Sequence, residues 1–305
     1  MKKATIKDIA KAAGVSIATV SYILNDVKTQ SISDETRVKV LKAAQQLKYV
    51  TNRTAQSLKV KKTGLIGILW FKGNDDYLWS DLKYAKTIQA IERHCSELGY
   101  HVLFMQIDNL GPSSKIIMER NLDGVFLMNV DQEQFTTISN YFGFGVPVFV
   151  VDSYIEDPLF HKIVPDFVGS FQAARSLLGE DPQFLVMDSY NNAELVEFIK
   201  RQSGLDEERI HVCCDNIKDM HEFLSVYAGR PGIVLNEFLA HEAAKTHNRL
   251  AVLCTSHCPE IVPQGMAKVA FDLNDYKEIV RMMDRNIQDA DEVSREKFYC
   301  LSVIT

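Results

Sequence analysis

Hydrophobic residues recur at helical spacing in the first fifty positions of the chain. Isoleucine and alanine at positions 6, 9, 10 and 13 share one helical face, with Thr5 as a candidate N-cap and Gly14 as the stop. A second helix starts after Ser16 and places apolar residues at 20, 23 and 24 on its inner face. Two short helices joined by a tight glycine turn predict a helix-turn-helix unit, whose second helix can enter a major groove. A third helix over residues 34–48 is predicted to pack through Val38, Leu41, Ala44 and Leu47.

From residue 63 the pattern changes to apolar strands that alternate with amphipathic helices. The near-continuous apolar run 65–71 is typical of a parallel strand buried on both faces. Further strands are predicted at 102–106, 124–128, 146–151, 184–187, 210–213, 233–235 and 250–254. Helices are predicted at 82–98, 115–121, 135–142, 167–178, 193–202, 219–227, 238–246 and 273–287. This alternation predicts doubly wound parallel sheets in two lobes, with a cleft where the carboxyl ends of the strands meet.

Composition narrows the class of protein. Hydrophobic residues make up 46% of the 305 positions and charged residues 24%, which excludes a mainly disordered chain. No apolar run approaches the roughly 18–20 residues of a membrane helix, so we expect no membrane span. The N-terminal residues turn polar after two lysines, so we also expect no secretory signal. Six cysteines without framework spacing indicate reduced thiols and a cytoplasmic location.

Charge is distributed unevenly between the two ends of the chain. The net charge is −6, yet residues 1–64 hold 13 basic and four acidic side chains, a net of +9, which leaves −15 for the remainder. A basic head on an acidic body is typical of a protein that binds a polyanion such as DNA through one face. The alternatives at this point are a solvated lysine-rich surface and a small helical bundle used as a protein interface.

Specific motifs favour the DNA-binding interpretation. The head contains an AGVS turn, a Ser-x-x-Thr-Val-Ser helix, Asn25, and an Asn-Arg-x-Ala-x-x-Leu segment at 52–58. With these motifs, residues 5–25 and 49–58 closely resemble the LacI/GalR family of bacterial transcription factors. Shorter matches continue along the body at 99–100, 123–125, 145–152 and 236–240. The resemblance implies an N-terminal all-α helix-turn-helix head followed by an α/β, two-lobed, periplasmic-binding-protein-like body with two doubly wound parallel sheets.

The resemblance also implies a domain organisation. Residues 1–49 are expected to form the DNA-binding domain, 50–62 a hinge helix or linker, and 63–305 the ligand-sensing and dimerisation body. We expect an N-terminal lobe of about 63–152 plus 270–290 and a C-terminal lobe of about 155–268 plus 295–305. Three crossovers would connect the lobes, and the helix at 273–287 would return to the first.

Family positions that contact DNA can be assigned residue by residue. The positions that correspond to phosphate contacts are Thr5, Ser16, Thr19, Ser21, Asn25 and Ser31. Ile17, Ala18 and Tyr22 stand where the family reads base edges. Tyr22 replaces a frequent arginine, so the bidentate arginine–guanine contact is lost and the operator half-site should depart from the common family consensus.

The segment 50–62 resembles the family's hinge. The residues that correspond to minor-groove contacts are Asn52, Arg53, Ala55 and Leu58. In the family a leucine that matches Leu58 wedges between central base pairs and kinks the duplex. A plain basic linker is the alternative.

The cleft supplies candidate residues for binding an effector. They are Trp79, Ser80, Asp152, Glu194, Asn236, Glu237 and Ser256, for each of which a structural cap or a core aromatic is the alternative. Glu194 stands where relatives carry an arginine, and residues 254–257 replace a Gly-Phe-Asp-Asp motif. Two acids in a desolvated cleft would favour a cationic or donor-rich ligand over a sugar phosphate. Alternatively each glutamate binds a lysine or a backbone amide, and the cleft takes a neutral sugar.

Together these patterns predict a cytoplasmic, nucleoid-associated bacterial repressor. It would bind a pseudo-palindromic operator as a homodimer, without a tetramerising leucine heptad, and respond to a sugar-like or nucleoside-like small molecule. No catalytic residue, cofactor or metal site is predicted, since no G-x-S-x-G, P-loop or G-x-G-x-x-G motif occurs. Cys254-x-x-His257-Cys258 lacks the paired spacing of a zinc site. The alternatives are a vestigial cleft with regulation by a partner protein, and an enzyme tethered to DNA.

Overall fold

A computed structural model describes residues 5–24, 32–47, 62–73, 79–107, 120–142, 146–157, 160–213, 217–289 and 297–305. The chain divides into two compact units, Met1–Lys61 and Lys62–Thr305.

The described part of the first unit consists of helices α1 (Ile6–Ala13), α2 (Ile17–Leu24) and α3 (Asp34–Gln46). Helix α1 begins with a capping box, in which the Thr5 backbone N–H donates to the Asp8 carboxylate at 2.8 Å and the Thr5 hydroxyl accepts the Asp8 N–H. It ends at Gly14, whose φ of 65° is accessible to glycine without strain. Both ends of α1 are therefore where the sequence predicts them.

Helix α3 buries a different face from the one predicted. Val40 and Ala43 pack against Ile9, Val20 and Ile23 in the small core of this unit. In contrast, Val38, Leu41 and Leu47 are exposed. The predicted stripe is wrong at Val38, Leu41 and Leu47, whereas Ala44 packs against this core as predicted. The helix has apolar residues on two overlapping faces, and only contact with α1 and α2 selects between them.

The second unit alternates strands and helices. Its strands are β1 (Leu65–Phe71), β2 (His101–Ile107), β3 (Gly124–Met128), β4 (Val148–Val151), β5 (His161–Pro165), β6 (Phe184–Asp188), β7 (Ile210–Cys213), β8 (Gly232–Leu235), β9 (Leu250–Leu253), β10 (Ala267–Phe271), β11 (Phe298–Leu301) and β12 (Val303–Ile304). Its helices are α4 (Ala85–Glu97), α5 (Gln132–Ser139), α6 (Phe167–Leu178), α7 (Ala193–Ser203), α8 (Ile217–Val226), α9 (Glu237–Ala243) and α10 (Asp275–Gln288). The helix expected at 115–121 lies mainly outside the described residues.

Two six-stranded sheets form the two lobes. The first has the order β11-β5-β4-β3-β1-β2 and the second β12-β10-β9-β8-β6-β7. Within both sheets the strands pair in parallel, except that β12 is antiparallel to β10. Helices cover both faces of each sheet and bury apolar strand residues, for example Ile68 and Leu69 of β1 on opposite sides. The predicted doubly wound, two-lobed body is confirmed.

The chain crosses between the lobes after β5, β10 and β11. Helix α10 packs on the first lobe, as expected for the helix that returns to it. The lobe boundaries near the crossings need correction, since 161–165 and 298–301 belong to the first sheet rather than to the second lobe. Strand β5 (HKIVP) was missed because it combines two polar residues with a terminal proline, and its pairing on both edges overrides that weak propensity.

No described helix is both long and apolar enough to cross a membrane.

Candidate functional site

Three of the candidate DNA contacts lie at helix amino ends in the first unit. Thr5 caps α1. Ser16 Oγ accepts the backbone N–H of Thr19 at 3.0 Å and lies 2.9 Å from its hydroxyl. The amino end of a helix carries unpaired N–H groups and a partial positive charge, so this end of α2 can donate hydrogen bonds to a phosphate oxygen.

The remaining candidates are placed only in part. Residues 17, 18, 21 and 22 belong to α2, whose Val20 and Ile23 are buried in the core. Candidates outside the described residues are Asn25, Ser31, Asn52, Arg53, Ala55 and Leu58.

In the second unit, polar residues gather where the parallel strands end. Asn129 follows β3, Asp152 follows β4 and Asn236 follows β8, and Asp188 is the last residue of β6. Three of them have positive φ: 57° at Asn129, 50° at Asp152 and 87° at Asn236. Such conformations are uncommon outside glycine and concentrate at functional sites.

Residues after β6 connect this edge to the first lobe. The Asn191 amide nitrogen donates to the carbonyl oxygens of Phe71 at 3.2 Å and Asn129 at 2.9 Å. The Asn192 amide oxygen accepts the backbone N–H of Tyr154 at 2.9 Å. The carboxyl ends of both sheets therefore face each other across one cleft, which is the expected place for a ligand.

A buried ion pair crosses the cleft. Lys83, which precedes α4 in the first lobe, places Nζ 3.0 Å from Asp188 Oδ2 in the second lobe, and both side chains are less than a tenth exposed. Lys83 Nζ also donates to the Ser189 carbonyl at 2.9 Å and lies 3.7 Å from the centroid of the Tyr190 ring. Asn236 Nδ2 donates to the same Asp188 oxygen at 2.8 Å.

Asp152 is a buried carboxyl on the first-lobe side of the cleft. Burial raises its pKa to about 6, although the positive charge of Lys83 opposes the shift. A carboxyl with this pKa changes its charge within a physiological pH range.

Glu237 has a structural environment. Its carboxylate accepts the backbone N–H groups of Ser256 at 2.9 Å and Cys258 at 2.7 Å, so it fixes the loop after β9. Burial raises the pKa of Glu237, and the two N–H donors oppose that shift. This geometry matches the alternative in which the glutamate binds backbone amides, and it leaves the carboxylate engaged within the protein.

The aromatic candidate Trp79 packs across the cleft. Its ring stacks on Phe238 at the start of α9, with centroids 6.2 Å apart and an angle of 3° between the planes. Ser80 begins a short 3-10 helix, Ser80–Leu82. Trp79 is therefore a partly buried inter-lobe contact.

One buried hydroxyl near this edge, that of Ser256, has no hydrogen-bond partner among the described residues. Because buried polar groups are almost always hydrogen-bonded, this hydroxyl indicates space for a polar ligand or ordered water. The hydroxyls of Tyr84 and Tyr190 interact with the side chains of Asp152 and Thr255, respectively. Within the described ranges, no group of three or more His, Cys, Asp and Glu side chains is placed to hold a metal ion.

Comparison with known proteins identifies the head. Residues 5–52 match the family model described as bacterial regulatory proteins, lacI family. Residues 5–52 are therefore similar to the DNA-binding part of lacI-family regulators. The LacI/GalR resemblance predicted from the sequence is confirmed.

Curated relatives extend this lacI-family similarity into the body. The chain is 32% identical over 183 residues to the HTH-type transcriptional repressor PurR of Pasteurella multocida, covering 57% of this chain and 52% of the relative. It is 30% identical over 205 residues to PurR of Mannheimia succiniciproducens, covering 65% and 58%. The chain thus spans a little over half the length of these relatives.

Solved structures show the same fold. A Lac repressor dimer bound to operator and the anti-inducer ONPF superposes with a TM-score of 0.74 and 16% identity, covering 100% of this chain and 98% of that one. A complex of the regulator CelR with cellobiose has a TM-score of 0.60 and 17% identity, covering 99% and 98%.

The predicted role of Glu194 needs a correction. Glu194 is exposed in the first turn of α7, so it is not drawn into a desolvated cleft. Its side chain follows the N-cap Asn192 and faces solvent, where a glutamate interacts favourably with the helix dipole. The predicted preference for cationic ligands through Glu194 and Glu237 together loses its basis.

Sequence reasoning missed several residues of the cleft. These are Lys83, Tyr84, Asp188, Tyr190 and Asn191. Asp188 ends an apolar strand in the same way as Asp152, so the strand-end rule would have found it. Nothing in the local sequence indicates that Lys83 pairs with a residue 105 positions away.

Proposed function

We propose that the protein is a bacterial transcriptional repressor that binds operator DNA as a homodimer. The observation that carries the proposal is the lacI-family match over residues 5–52, which coincides with the helix-turn-helix unit. Supporting it are PurR relatives, which are repressors, and a Lac repressor neighbour that is dimeric and bound to operator. We place its action with the nucleoid in the cytoplasm, and assign it no enzymatic activity and no cofactor.

A small molecule bound between the two lobes is the proposed regulator. Such a ligand alters operator affinity only if it binds one arrangement of the lobes better than another. Polar strand ends from both lobes and the buried Ser256 hydroxyl favour a polar molecule with several hydrogen-bonding groups, such as a sugar or nucleoside.

Selection from random DNA duplexes tests the proposed function. We expect the full chain to enrich an inverted repeat, because a two-fold dimer places its recognition helices on two equivalent half-sites. Substitution of Tyr22 by arginine should add a guanine preference at one base pair of each half-site. Enrichment of a single asymmetric motif, or of nothing, would refute the assignment.

The hinge interpretation yields a second prediction. Leu58→Ala should weaken binding to the selected operator by about 1–3 kcal/mol, because the unstacked base step would lose the apolar wedge that stabilises it. Binding to an unrelated duplex should hardly change, since lysine–phosphate attraction carries it. Titration of both duplexes at one salt concentration is the measurement, and an equal loss on the two would assign Leu58 to packing alone.

Ligand screening tests the regulatory half of the proposal. A thermal-shift screen of neutral sugars, sugar phosphates and nucleosides on the full chain should return at least one stabilising compound, because a ligand that binds the native state raises stability by mass action. That compound should also shift operator affinity. If no compound stabilises the protein, regulation by a partner protein becomes the favoured alternative.

A further inference from the structure

The cleft already contains a positive group supplied by the chain itself. Lys83 lies between the Ser80–Leu82 turn and α4, in a segment whose next residue, Tyr84, packs in the first-lobe core. Its ammonium nevertheless makes its close polar contacts with the second lobe, at Asp188 Oδ2 and the Ser189 carbonyl oxygen. The side chain therefore crosses from one lobe to the other.

The second lobe surrounds this ammonium as a receptor surrounds a cationic ligand. It supplies a carboxylate at 3.0 Å, a carbonyl oxygen at 2.9 Å and the face of the Tyr190 ring at 3.7 Å from Nζ. Tyr84 of the first lobe adds a second ring at 5.6 Å. A carboxylate combined with aromatic faces is a recurrent way to bind an alkylammonium group.

Hydrogen bonds orient the Asp188 carboxylate for binding a cation. Asn236 Nδ2 donates to its Oδ2 at 2.8 Å and the Ser189 N–H donates to its Oδ1 at 3.1 Å. Asp188 is 3% exposed, and Asn236, which orients it, is fully buried and has the strained φ of 87°. A buried carboxylate held in this way needs a positive partner, since two polar donors leave its charge uncompensated.

We propose that Lys83 is a tethered ligand of the cleft, whose ammonium fills a cation site of the second lobe and holds the lobes closed, and that a small alkylammonium ligand can take its place. The inference rests on the proposed function only where it links closure of the lobes to regulation. The experiments that follow measure closure and amine binding directly on the protein, without DNA.

Removal of the lysine side chain tests the tether. In Lys83→Ala we expect amide exchange at Asn191, whose N–H donates to Asn129 Oδ1 of the first lobe at 3.0 Å, to accelerate about ten-fold or more, because breaking a buried ion pair is strongly destabilising. Lys86→Ala is the matched control, since Lys86 pairs with Glu260 at 3.6 Å on the surface. Equal exchange in the two variants would overturn the proposal.

Chemical rescue tests the cation site. We expect n-propylammonium, which has the carbons and nitrogen that alanine lacks, to slow exchange at Asn191 in Lys83→Ala and to raise its melting temperature. The uncharged analogue n-propanol and sodium chloride at equal ionic strength should do neither. Protection by n-propanol that equals protection by the amine would show an apolar cavity and refute a cation site.

A double variant without either charge keeps the proposal testable if Lys83→Ala fails to fold. Lys83→Met/Asp188→Asn removes both charges and nearly keeps both shapes, so it should fold, which far-ultraviolet circular dichroism would confirm. It should show rapid exchange at Asn191 that n-propylammonium does not change. Slow exchange in this variant would mean that packing, and not the ion pair, holds the lobes together.

The proposed function and this inference fail separately. If random-duplex selection yields no operator while amine rescue succeeds, the repressor assignment is wrong and the tethered lysine stands. If an operator is found and n-propylammonium has no effect on Lys83→Ala, only the inference is wrong.

Discussion

Glu237→Ala should lower the free energy of unfolding of the second unit by about 2–4 kcal/mol, because it leaves two backbone donors without an acceptor at the loop after β9. The carboxylate of Glu237 accepts the N–H groups of Ser256 and Cys258, and Glu237 itself is fully buried. Glu237→Gln should lose less, since its amide oxygen still accepts one N–H while its NH2 group faces the other.

Urea denaturation followed by tryptophan fluorescence measures this loss. The chain has two tryptophans, Trp70 and Trp79, and both lie in the second unit, so the signal does not report the head. Glu194→Ala is the matched control, because Glu194 also occupies the first turn of a helix after an asparagine N-cap but is exposed. We expect that control to change stability by less than about 0.5 kcal/mol. Similar losses in the two alanine variants would contradict the role assigned to Glu237.

The sheets could be predicted largely from the sequence because parallel strands buried on both faces consist of nearly continuous apolar residues. Strand β1 (LIGILWF) shows this pattern, and the structure buries six of its seven residues. Strand β10 (AKVAF) escaped prediction because it is short and holds a lysine, whose Nζ donates to the Pro259 carbonyl at 2.9 Å. Pairing with β9 and β12, rather than hydrophobicity, makes this segment a strand.

The helical face of α3 illustrates a choice that local sequence does not determine. Apolar residues at 38, 40, 41, 43, 44 and 47 offer two overlapping stripes, and both satisfy the helical period. The structure buries Val40 and Ala43, which contact the partners available on α1 and α2. Prediction of this face requires the arrangement of all three helices.

The candidate site was predictable to the extent that it obeys the strand-end rule. Asp152 and Asn236 follow apolar strands, and the structure places both at the cleft. Glu237 follows the same strand as Asn236, yet its carboxylate turns to the loop after β9. The direction of a side chain at a strand end depends on the donors around it, and those donors come from residues distant in sequence.

The resemblance to LacI/GalR proteins did not predict the charged residues of the cleft correctly. The resemblance predicts a ligand-binding role for Glu194, whereas the structure exposes it on α7. The charge that crosses the cleft comes instead from Lys83. The ligand class must therefore be argued from this chain's own contacts.

Asp152→Asn should stabilise the second unit at pH 7.5 by about 2–3 kcal/mol, the cost of keeping this buried carboxyl ionised. Burial raises the pKa of Asp152 to about 6, against an unfolded value of about 3.9. The native state therefore holds this proton more tightly than the unfolded state. The contribution of Asp152 to stability falls as pH rises from about 4 to about 6 and stays constant above that range. Asparagine has nearly the same shape and tolerates the φ of 50°.

The pH dependence of that gain distinguishes titration from packing. The difference in unfolding free energy between Asp152→Asn and the parent should shrink towards zero as pH falls from 7.5 to about 4.5. Burial lowers the pKa of His257 to about 4, so His257 titrates in the same pH range. It is present in both proteins and therefore cancels in the difference. The same holds for the charged and titratable groups that surround the Asp152 carboxyl, which are Lys83, Asp188, Tyr84, Tyr190 and Tyr276. The exposed Asp181→Asn serves as the control and should show no such trend. A gain that stays constant with pH would mean that the substitution acts through packing. A loss at pH 7.5 would mean that ionised Asp152 stabilises the cleft through Lys83 more than its burial costs.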